Sequence, residues 1–407
     1  MRTDIAVTGL GLVTPAGHTA EENWAALSQG RSLAATDPDL EGLPVDFSCK
    51  VPDFDADTEL GRASARRVDP FIQFALVAAR RAVADAGLDR EAWKTERVGV
   101  VLGVGSNSLT TYVTEFGHLG AQRADRVSPL ALPRSVPSMA AGEVAIDLGA
   151  RGPNFTTASA CASGATAIGV ARDLLRAGTC DIVLAGGSES ARSRMTATCF
   201  ARMRALSRRR ETPAAASRPF DAQRDGFVLG EGAAVLVLER AREARARRAP
   251  VRALLRGYGA SADAHHPIAP HPEGDGAVRA IRAALEDAGC RPGDVGHVNA
   301  HGTSTPLNDA VEAAALTQVF PRGTPPVTAA KGVVGHALGA SGAIQAAYTV
   351  LALHHAAVPP VANHNGQDGE HRLDIVTQRS RPMRGEAGVS CSFGFGGQNA
   401  VLLFTPP

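Results

Sequence analysis

The chain has 407 residues, 44% of them hydrophobic and 4% aromatic, with a formal net charge of +1. That length suits two or three domains or one large duplicated unit. The near-zero charge gives no bulk attraction to nucleic acid, and no 18-residue apolar run offers a membrane span.

The start, Met1-Arg2-Thr3-Asp4-Ile5, lacks the apolar stretch of a secretory signal. The first buried strand is read at Ile5-Ala6-Val7-Thr8-Gly9-Leu10-Gly11. Its glycines do not follow the G-x-G-x-x-G spacing into a clear helix, so a dinucleotide loop is rejected. An amphipathic helix is predicted over 70–86, ending in Asp85-Ala86-Gly87 with Gly87 as the cap, and a strand over 98–103. Ala165, Ile168, Ala171 and Leu174 fall at helical spacing and predict a helix to about Arg176, followed by a buried strand over 181–187.

The same order then returns. A helix over 276–288 ends in Asp287-Ala288-Gly289, a strand covers 295–300, and a Gly/Ala-rich helix is predicted over 336–353. Closing strands fall at 388–392 and 400–404. The reading is an α/β chain built by duplication, with halves 1–245 and 246–407 lying sheet beside sheet. The boundary is placed in the Arg/Glu-rich stretch 239–250, itself read as a solvated helix end.

Six cysteines are scattered without a CxxC pair, so zinc is a poor reading and reduced cytoplasmic thiols a better one. Cys161 stands in Thr157-Ala158-Ser159-Ala160-Cys161-Ala162-Ser163-Gly164, flanked only by small residues. A position near a helix N-terminus favours a thiolate nucleophile. A free cysteine is equally at home as a small buried hydrophobe. His301 follows a buried strand in Asn299-Ala300-His301-Gly302-Thr303-Ser304-Thr305-Pro306, where the hydroxyls of Thr303 and Thr305 suit either a polar substrate arm or turn capping. His336, in Lys331-Gly332-Val333-Val334-Gly335-His336, opens the helix that the duplication pairs with the one after Cys161. A pseudo-twofold axis would bring the two into one site. The run Ser392-Phe393-Gly394-Phe395-Gly396-Gly397 offers backbone amides to a ligand or a plain Gly-rich turn. A cysteine, two histidines and a glycine loop point to acyl transfer through a thioester. A cysteine peptidase does not explain the second histidine or Lys331.

Together these motifs closely resemble the elongating β-ketoacyl-acyl-carrier-protein synthases, the decarboxylating Cys-His-His branch of the thiolase-fold enzymes. The match runs the whole chain and includes Val68-Asp69-Pro70-Phe71-Ile72-Gln73, Ser217-Arg218-Pro219-Phe220-Asp221 and Arg224-Asp225-Gly226-Phe227. The resemblance implies a five-layered α-β-α-β-α core and a condensation of an acyl thioester with malonyl-acyl-carrier protein, in polyketide, polyene or fatty-acid synthesis. It implies Cys161 as nucleophile, His301 and His336 as stabilisers of the enolate, and Lys331 as support. The amides of Cys161 and Phe395 would form the oxyanion hole, with Phe395 also as gate. Thr303 and Thr305 would bond the pantetheine arm, and Asn107, Ser108 and Phe200 would line the acyl pocket. The acidic carrier would dock on Arg62, Arg66, Arg67, Arg204, Arg208 and Arg209. No cofactor beyond the carrier's phosphopantetheine and no metal is expected. The partner would be a second identical chain or a chain-length-factor-like subunit.

The chain departs from the family at Gln345, usually Glu and tied in some members to a cation, and at Gln398, usually Thr. A neutral Gln345 predicts no tightly bound cation. Asn107 and Ser108 are polar where fatty-acid enzymes tend to be apolar, which tilts the reading toward a specialised polyketide or polyene pathway. Two alternatives belong to other classes. A silent chain-length partner typically lacks the nucleophile. A biosynthetic thiolase would need a second cysteine at the C-terminal glycine loop, where Cys391 is misplaced.

Overall fold

The computed structural model describes residues 3–106 and 109–407. Ten strands carry the architecture: β1 (Ile5–Val13), β2 (Val98–Gly103), β3 (Asn154–Thr157), β4 (Ile182–Glu189), β5 (Gly232–Arg240), β6 (Ala253–Ala262), β7 (Val295–Asn299), β8 (Val327–Thr328), β9 (Ala387–Gly394) and β10 (Gln398–Thr405). Their order is β8-β7-β9-β10-β6-β1-β5-β4-β2-β3. In the first half β1 pairs β5 and β5 pairs β4 antiparallel, while β4–β2 and β2–β3 are parallel. The second half repeats this pattern strand for strand, with each number raised by five. A short antiparallel ladder, Ile5 opposite Leu255 to Val7 opposite Ala253, joins the halves at β1 and β6.

Eight helices matter below: α1 (Pro70–Asp85), α2 (Leu109–Gly120), α3 (Ser138–Leu148), α4 (Ser163–Arg176), α5 (Arg194–Arg202), α6 (Asp275–Ala288), α7 (Pro306–Val319) and α8 (Ser341–His354). Helices α4 and α8 each pack on strands of both halves, so they form the central layer. Helices α1 and α3 cover the outer face of the first half, and α6 with α7 that of the second. The halves therefore face each other across two helices, in an α-β-α-β-α stack, as well as meeting edge to edge. Parallel strands covered on both faces read as continuous apolar runs, which is why β2 and β4 stood out in the sequence.

Close backbone approach explains two glycine pairs. A Cβ on Gly9 would lie 2.2 Å from the Ala82 carbonyl of α1, and one on Gly257 2.2 Å from the Ala284 carbonyl of α6. These glycines seat helix on strand, and no phosphate loop is involved. In the central layer a Cβ on Gly164 would stand 2.7 Å from the Ala343 nitrogen, and one on Gly342 2.7 Å from the Ala165 nitrogen. The reciprocity is the pseudo-twofold axis seen at atomic scale. It aligns Ser163-Gly164-Ala165 with Ser341-Gly342-Ala343, each at the start of a 14-residue helix.

That register corrects one expectation. His336 does not open α8; the helix begins at Ser341. The backbone of His336 is instead hydrogen-bonded to Val228 and Gly230, and Gly335 before it has φ 70°. The true counterpart of Cys161 is Gly339, in the middle of the matching turn. Both turns carry a residue with positive φ, Ala160 at 48° and Leu338 at 41°.

Candidate active site

Cys161 sits in a tight turn, Ala160–Ala162, that feeds directly into α4. Ser163 clamps the turn: its hydroxyl accepts from the Ser159 N–H at 2.9 Å and donates to the Ala160 carbonyl at 2.6 Å. His301 stands just past β7. Its backbone N–H and that of Gly302 donate to the two oxygens of Glu312 on α7, at 2.7 and 2.8 Å. The thiol sulfur and a ring nitrogen from each of His301 and His336 lie within 4.8 Å of one another, all buried. The imidazole planes cross at 88°, with centroids 5.6 Å apart.

The hydrogen bonds assign the histidine tautomers. Nδ1 of His336 accepts from the Leu338 N–H at 3.2 Å and sits 2.8 Å from the Ser341 hydroxyl. Its proton is therefore on Nε2. Nδ1 of His301 lies 3.3 Å from the Lys331 ammonium, which only donates, so Nε2 carries the proton there as well. Burial holds both rings far below the ordinary histidine range, and the Lys331 charge pushes in the same direction. The site thus presents two neutral N–H donors.

Lys331 is fully buried and donates to the His301 carbonyl and to Gln345 Oε1, each at 2.6 Å. Burial pulls its ammonium down, and Glu312, Cys161 and Asp309 oppose this. Gln345 then donates from Nε2 to the carbonyls of Ala300, at 2.7 Å, and Cys391, at 3.3 Å.

The thiol behaves differently from the sequence expectation. Burial pushes Cys161 up to about 11, against the Lys331 charge and the N–H groups of Phe395 and Cys161 itself. The helix start is real, but burial outweighs it, so the resting site holds a thiol. The same two N–H groups flank the sulfur as an oxyanion hole requires. Gly394 makes room for this: a Cβ there would lie 3.1 Å from the Cys161 nitrogen.

A cavity of about 360 Å³ opens onto the trio. Thr303 and Thr305 line it, their hydroxyls 2.9 Å apart. Thr305 also caps α7 through the Asn308 N–H. Phe200 lines the cavity between Phe227 and Phe395, at centroid distances of 5.2 and 6.2 Å. Gln398 donates to the Phe395 carbonyl at 3.2 Å and so braces the glycine loop. Asn107 and Ser108 lie outside the described residues. A larger cleft of about 540 Å³ lies over the buried ion pairs of Arg192 with Asp37 and Glu231 and contains none of the trio.

The arginines divide. Arg62, Arg66, Arg204 and Arg208 are exposed, and Arg204 lines the cavity. Arg67 instead forms a two-pronged bond to Glu143, at 3.0 and 2.6 Å, and Arg209 donates to the Gln223 carbonyl and pairs with Asp225. Those two are already engaged within the chain. Cys391 lies in β9 away from the cavity, whose lining has Cys161 as its cysteine among the described residues.

Sequence reasoning missed Asp309 and Glu312. Both are fully buried on α7, and Asp309 accepts from the backbone of Phe220 and Ser304. Two acids three residues apart within an Ala-rich helix were the available signal. It reads as solvated charge until the loop that covers it is known.

Family models for the N-terminal and C-terminal domains of β-ketoacyl synthase match residues 2–244 and 252–365. The chain is 41% identical over 404 residues to 3-oxoacyl-[acyl-carrier-protein] synthase 2 of Synechocystis sp., covering 98% of this chain and 97% of the relative. It is 39% identical, with the same coverage, to the enzyme of that name from Staphylococcus aureus strain COL. Among solved structures it is similar to the ishigamide ketosynthase/chain length factor, with TM-score 0.94, 34% identity and full coverage of both chains. It is also similar to a ketosynthase in complex with its type II PKS acyl-carrier protein and bound to the hexaketide, with TM-score 0.92, 29% identity and full coverage of both chains.

Proposed function

Because the chain belongs to the β-ketoacyl synthase family, we propose that Cys161, His301 and His336 share out a decarboxylative Claisen condensation as follows. The enzyme condenses an acyl thioester with malonyl-acyl-carrier protein. In the first half-reaction the Cys161 sulfur attacks the thioester of an acyl carrier, and its proton ends on the departing pantetheine sulfur. The amides of Cys161 and Phe395 hold the tetrahedral oxyanion. In the second, malonyl-carrier enters with its thioester oxygen against the two Nε2–H groups. Its carboxylate leaves as carbon dioxide, and the electron pair stays behind as an enolate. The enolate carbon attacks the acyl-Cys161 carbonyl, the C–S bond breaks, and the departing sulfur takes up one proton from solvent.

The observation that carries this reading is the pair of histidines with Nε2–H fixed by Lys331 on one side and by Leu338 and Ser341 on the other. A neutral donor can meet developing negative charge with no resting cation to desolvate. Each such donor is worth about 3–4 kcal/mol in the transition state, a factor of roughly 10²–10³. His301→Ala and His336→Ala are each expected to slow carbon dioxide release from malonyl-carrier by that factor, while acylation of Cys161, followed by intact mass, continues. Undiminished carbon dioxide release in both variants contradicts the assignment.

The carrier reaches the site past Thr303 and Thr305, with Arg204 at the rim and Arg62, Arg66 and Arg208 as further contacts for its acidic surface. The site needs no resident cofactor or metal. The trio has the donor set of a soft metal site, but the Lys331 ammonium beside His301 disfavours a second cation there. All six thiols are free, in keeping with a cytoplasmic setting. No helix among the described residues is long and apolar enough to cross a membrane.

The functional unit is a dimer with a second copy or a chain-length-factor-like subunit. Val113, Phe116, Leu130, Leu132, Ile146 and Phe155 are exposed on α2, the loop after it, α3 and the outermost strand β3. An edge strand among exposed apolar side chains is a pairing surface. The complete trio sets this chain apart from a silent partner subunit. The position of Cys391 sets it apart from a thiolase.

A further inference from the structure

We propose that Glu189 is a positioning residue of the condensing site, holding the turn that follows His336 against the turn that carries Cys161. The proposal rests on the condensing role given above.

The pseudo-twofold axis maps Cys161 onto Gly339. Strands β4 and β9 are each eight residues long and end in Glu189 and Gly394. Those two end residues are thus counterparts. In the working copy Gly394 lies against the Cys161 N–H and leaves it open to a substrate oxyanion. In the other copy the equivalent N–H, that of Gly339, donates to Glu189 Oε2 at 3.2 Å. An internal carboxylate occupies the position that corresponds to the oxyanion.

This carboxylate is shared. Oε2 also accepts from the Gly105 N–H at 2.8 Å, and Oε1 accepts from the Ser106 hydroxyl at 2.9 Å. Glu189 therefore joins three segments: the end of β4, the residues after β2, and the turn Leu338–Ala340. The last of these contains the Leu338 N–H that fixes the His336 tautomer. Loss of the carboxylate frees this turn and with it the histidine. The side chain is 2% exposed, and burial pushes it up to about 7 against its three donors. Its negative charge is among the influences that raise the Cys161 thiol.

The test uses the full chain with Glu189→Gln and Glu189→Ala. Glutamine keeps one oxygen for the two backbone donors and removes the charge. At about pH 8, alkylation of Cys161 by iodoacetamide, followed at that residue by peptide mapping because Cys199 is exposed, is expected to quicken in Glu189→Ala and to change less in Glu189→Gln. Glu189→Ala is expected to lower kcat for condensation about tenfold, with KM for malonyl-carrier within about twofold, and Glu189→Gln to restore most of that loss. An alkylation rate in a folded Glu189→Ala equal to that of the unaltered protein overturns the proposal. So does a folded Glu189→Ala with full kcat. Should the alanine variant fail to fold, Glu189→Gln decides alone: a kcat lowered about tenfold overturns the role given to its hydrogen bonds. If the unaltered protein itself makes no condensation product, the functional reading fails instead, and the alkylation comparison still reports on Glu189.

Discussion

Cys161 keeps its proton in the resting site because burial outweighs the turn amides and Lys331. On the proposed mechanism its sulfur becomes a nucleophile only as a leaving pantetheine sulfur arrives to take the proton. The histidines do not take it, since each already carries a proton on Nε2 and is held neutral by burial. Gln345 links this chemistry to the strand behind it, accepting from Lys331 and donating to two carbonyls. A carboxylate there would keep the Lys331 bond but would set an unprotonated oxygen against two carbonyl oxygens. Asn299 Oδ1 and the hydroxyls of Ser390 and Ser392, all buried, have no hydrogen-bond partner among the described residues. Gln345→Glu is therefore expected to need a monovalent cation. Its rate should rise at least about fivefold when choline chloride is exchanged for potassium chloride, with less than about twofold change in the unaltered protein, because a buried carboxylate oxygen facing two carbonyl oxygens is costly without a cation between them. Equal salt responses in the two proteins contradict this account of the amide.

The elements of the central layer are held apart by hydrogen atoms alone. Gly342→Val would drive a Cβ to 2.7 Å from the Ala165 nitrogen and 3.0 Å from the Ser392 hydroxyl. It is expected to cost about 3 kcal/mol and to lower the melting temperature. Gly142→Ala, on α3, where the nearest neighbour would be the Met139 sulfur at 3.6 Å, is expected to leave it unchanged or raise it. Helices α1, α4 and α6 and strands β1, β2, β4, β7, β9 and β10 were legible because each repeats a pattern within a dozen residues, whereas β5 and β6, equally central to the sheet, were not read. Asp85-Ala86-Gly87 and Asp287-Ala288-Gly289 even perform the same task, the aspartates accepting from the Leu10 and Tyr258 N–H groups. What was not legible rests on distant partners. The run from His336 to Leu353 reads as helix by composition, yet Val228 and Gly230, a hundred residues earlier, pull His336 out into extended backbone. Glu189 meets Gly339 across 150 residues, and no local spacing announces that bond.

At the scale of the whole molecule, burying neutral histidines ties stability to pH. His297 on β7 has no exposed surface, and neither ring nitrogen has a hydrogen-bond partner among the described residues. Burial holds it down to about 3, against an ordinary 6.5. Below pH 6.5 the unfolded chain takes up a proton there that the folded chain refuses. The folded state therefore loses about 1.4 kcal/mol per pH unit from this residue, and the loss grows as pH falls toward the folded value. Buried Glu189, pushed up to about 7, works in the opposite direction over part of the same window. The difference between the unaltered protein and His297→Phe isolates the histidine. Melting temperatures are expected to converge or cross in favour of the variant as pH drops from about 7 to 5. A pH-independent difference contradicts that sign.

The central claim is that a fold duplicated across α4 and α8 converts a buried thiol into the carrier of an acyl group for condensation. Intact mass of the protein after mixing with an acyl-carrier thioester tests it most directly. The unaltered chain is expected to gain the mass of one acyl group, mapped to Cys161, and to lose it on addition of malonyl-carrier as carbon dioxide and a β-ketoacyl-carrier appear in equal amounts. Cys161→Ser is expected to gain no such stable adduct and form no product. An acyl adduct that persists in Cys161→Ser, or one on the unaltered protein that malonyl-carrier does not discharge, contradicts the account.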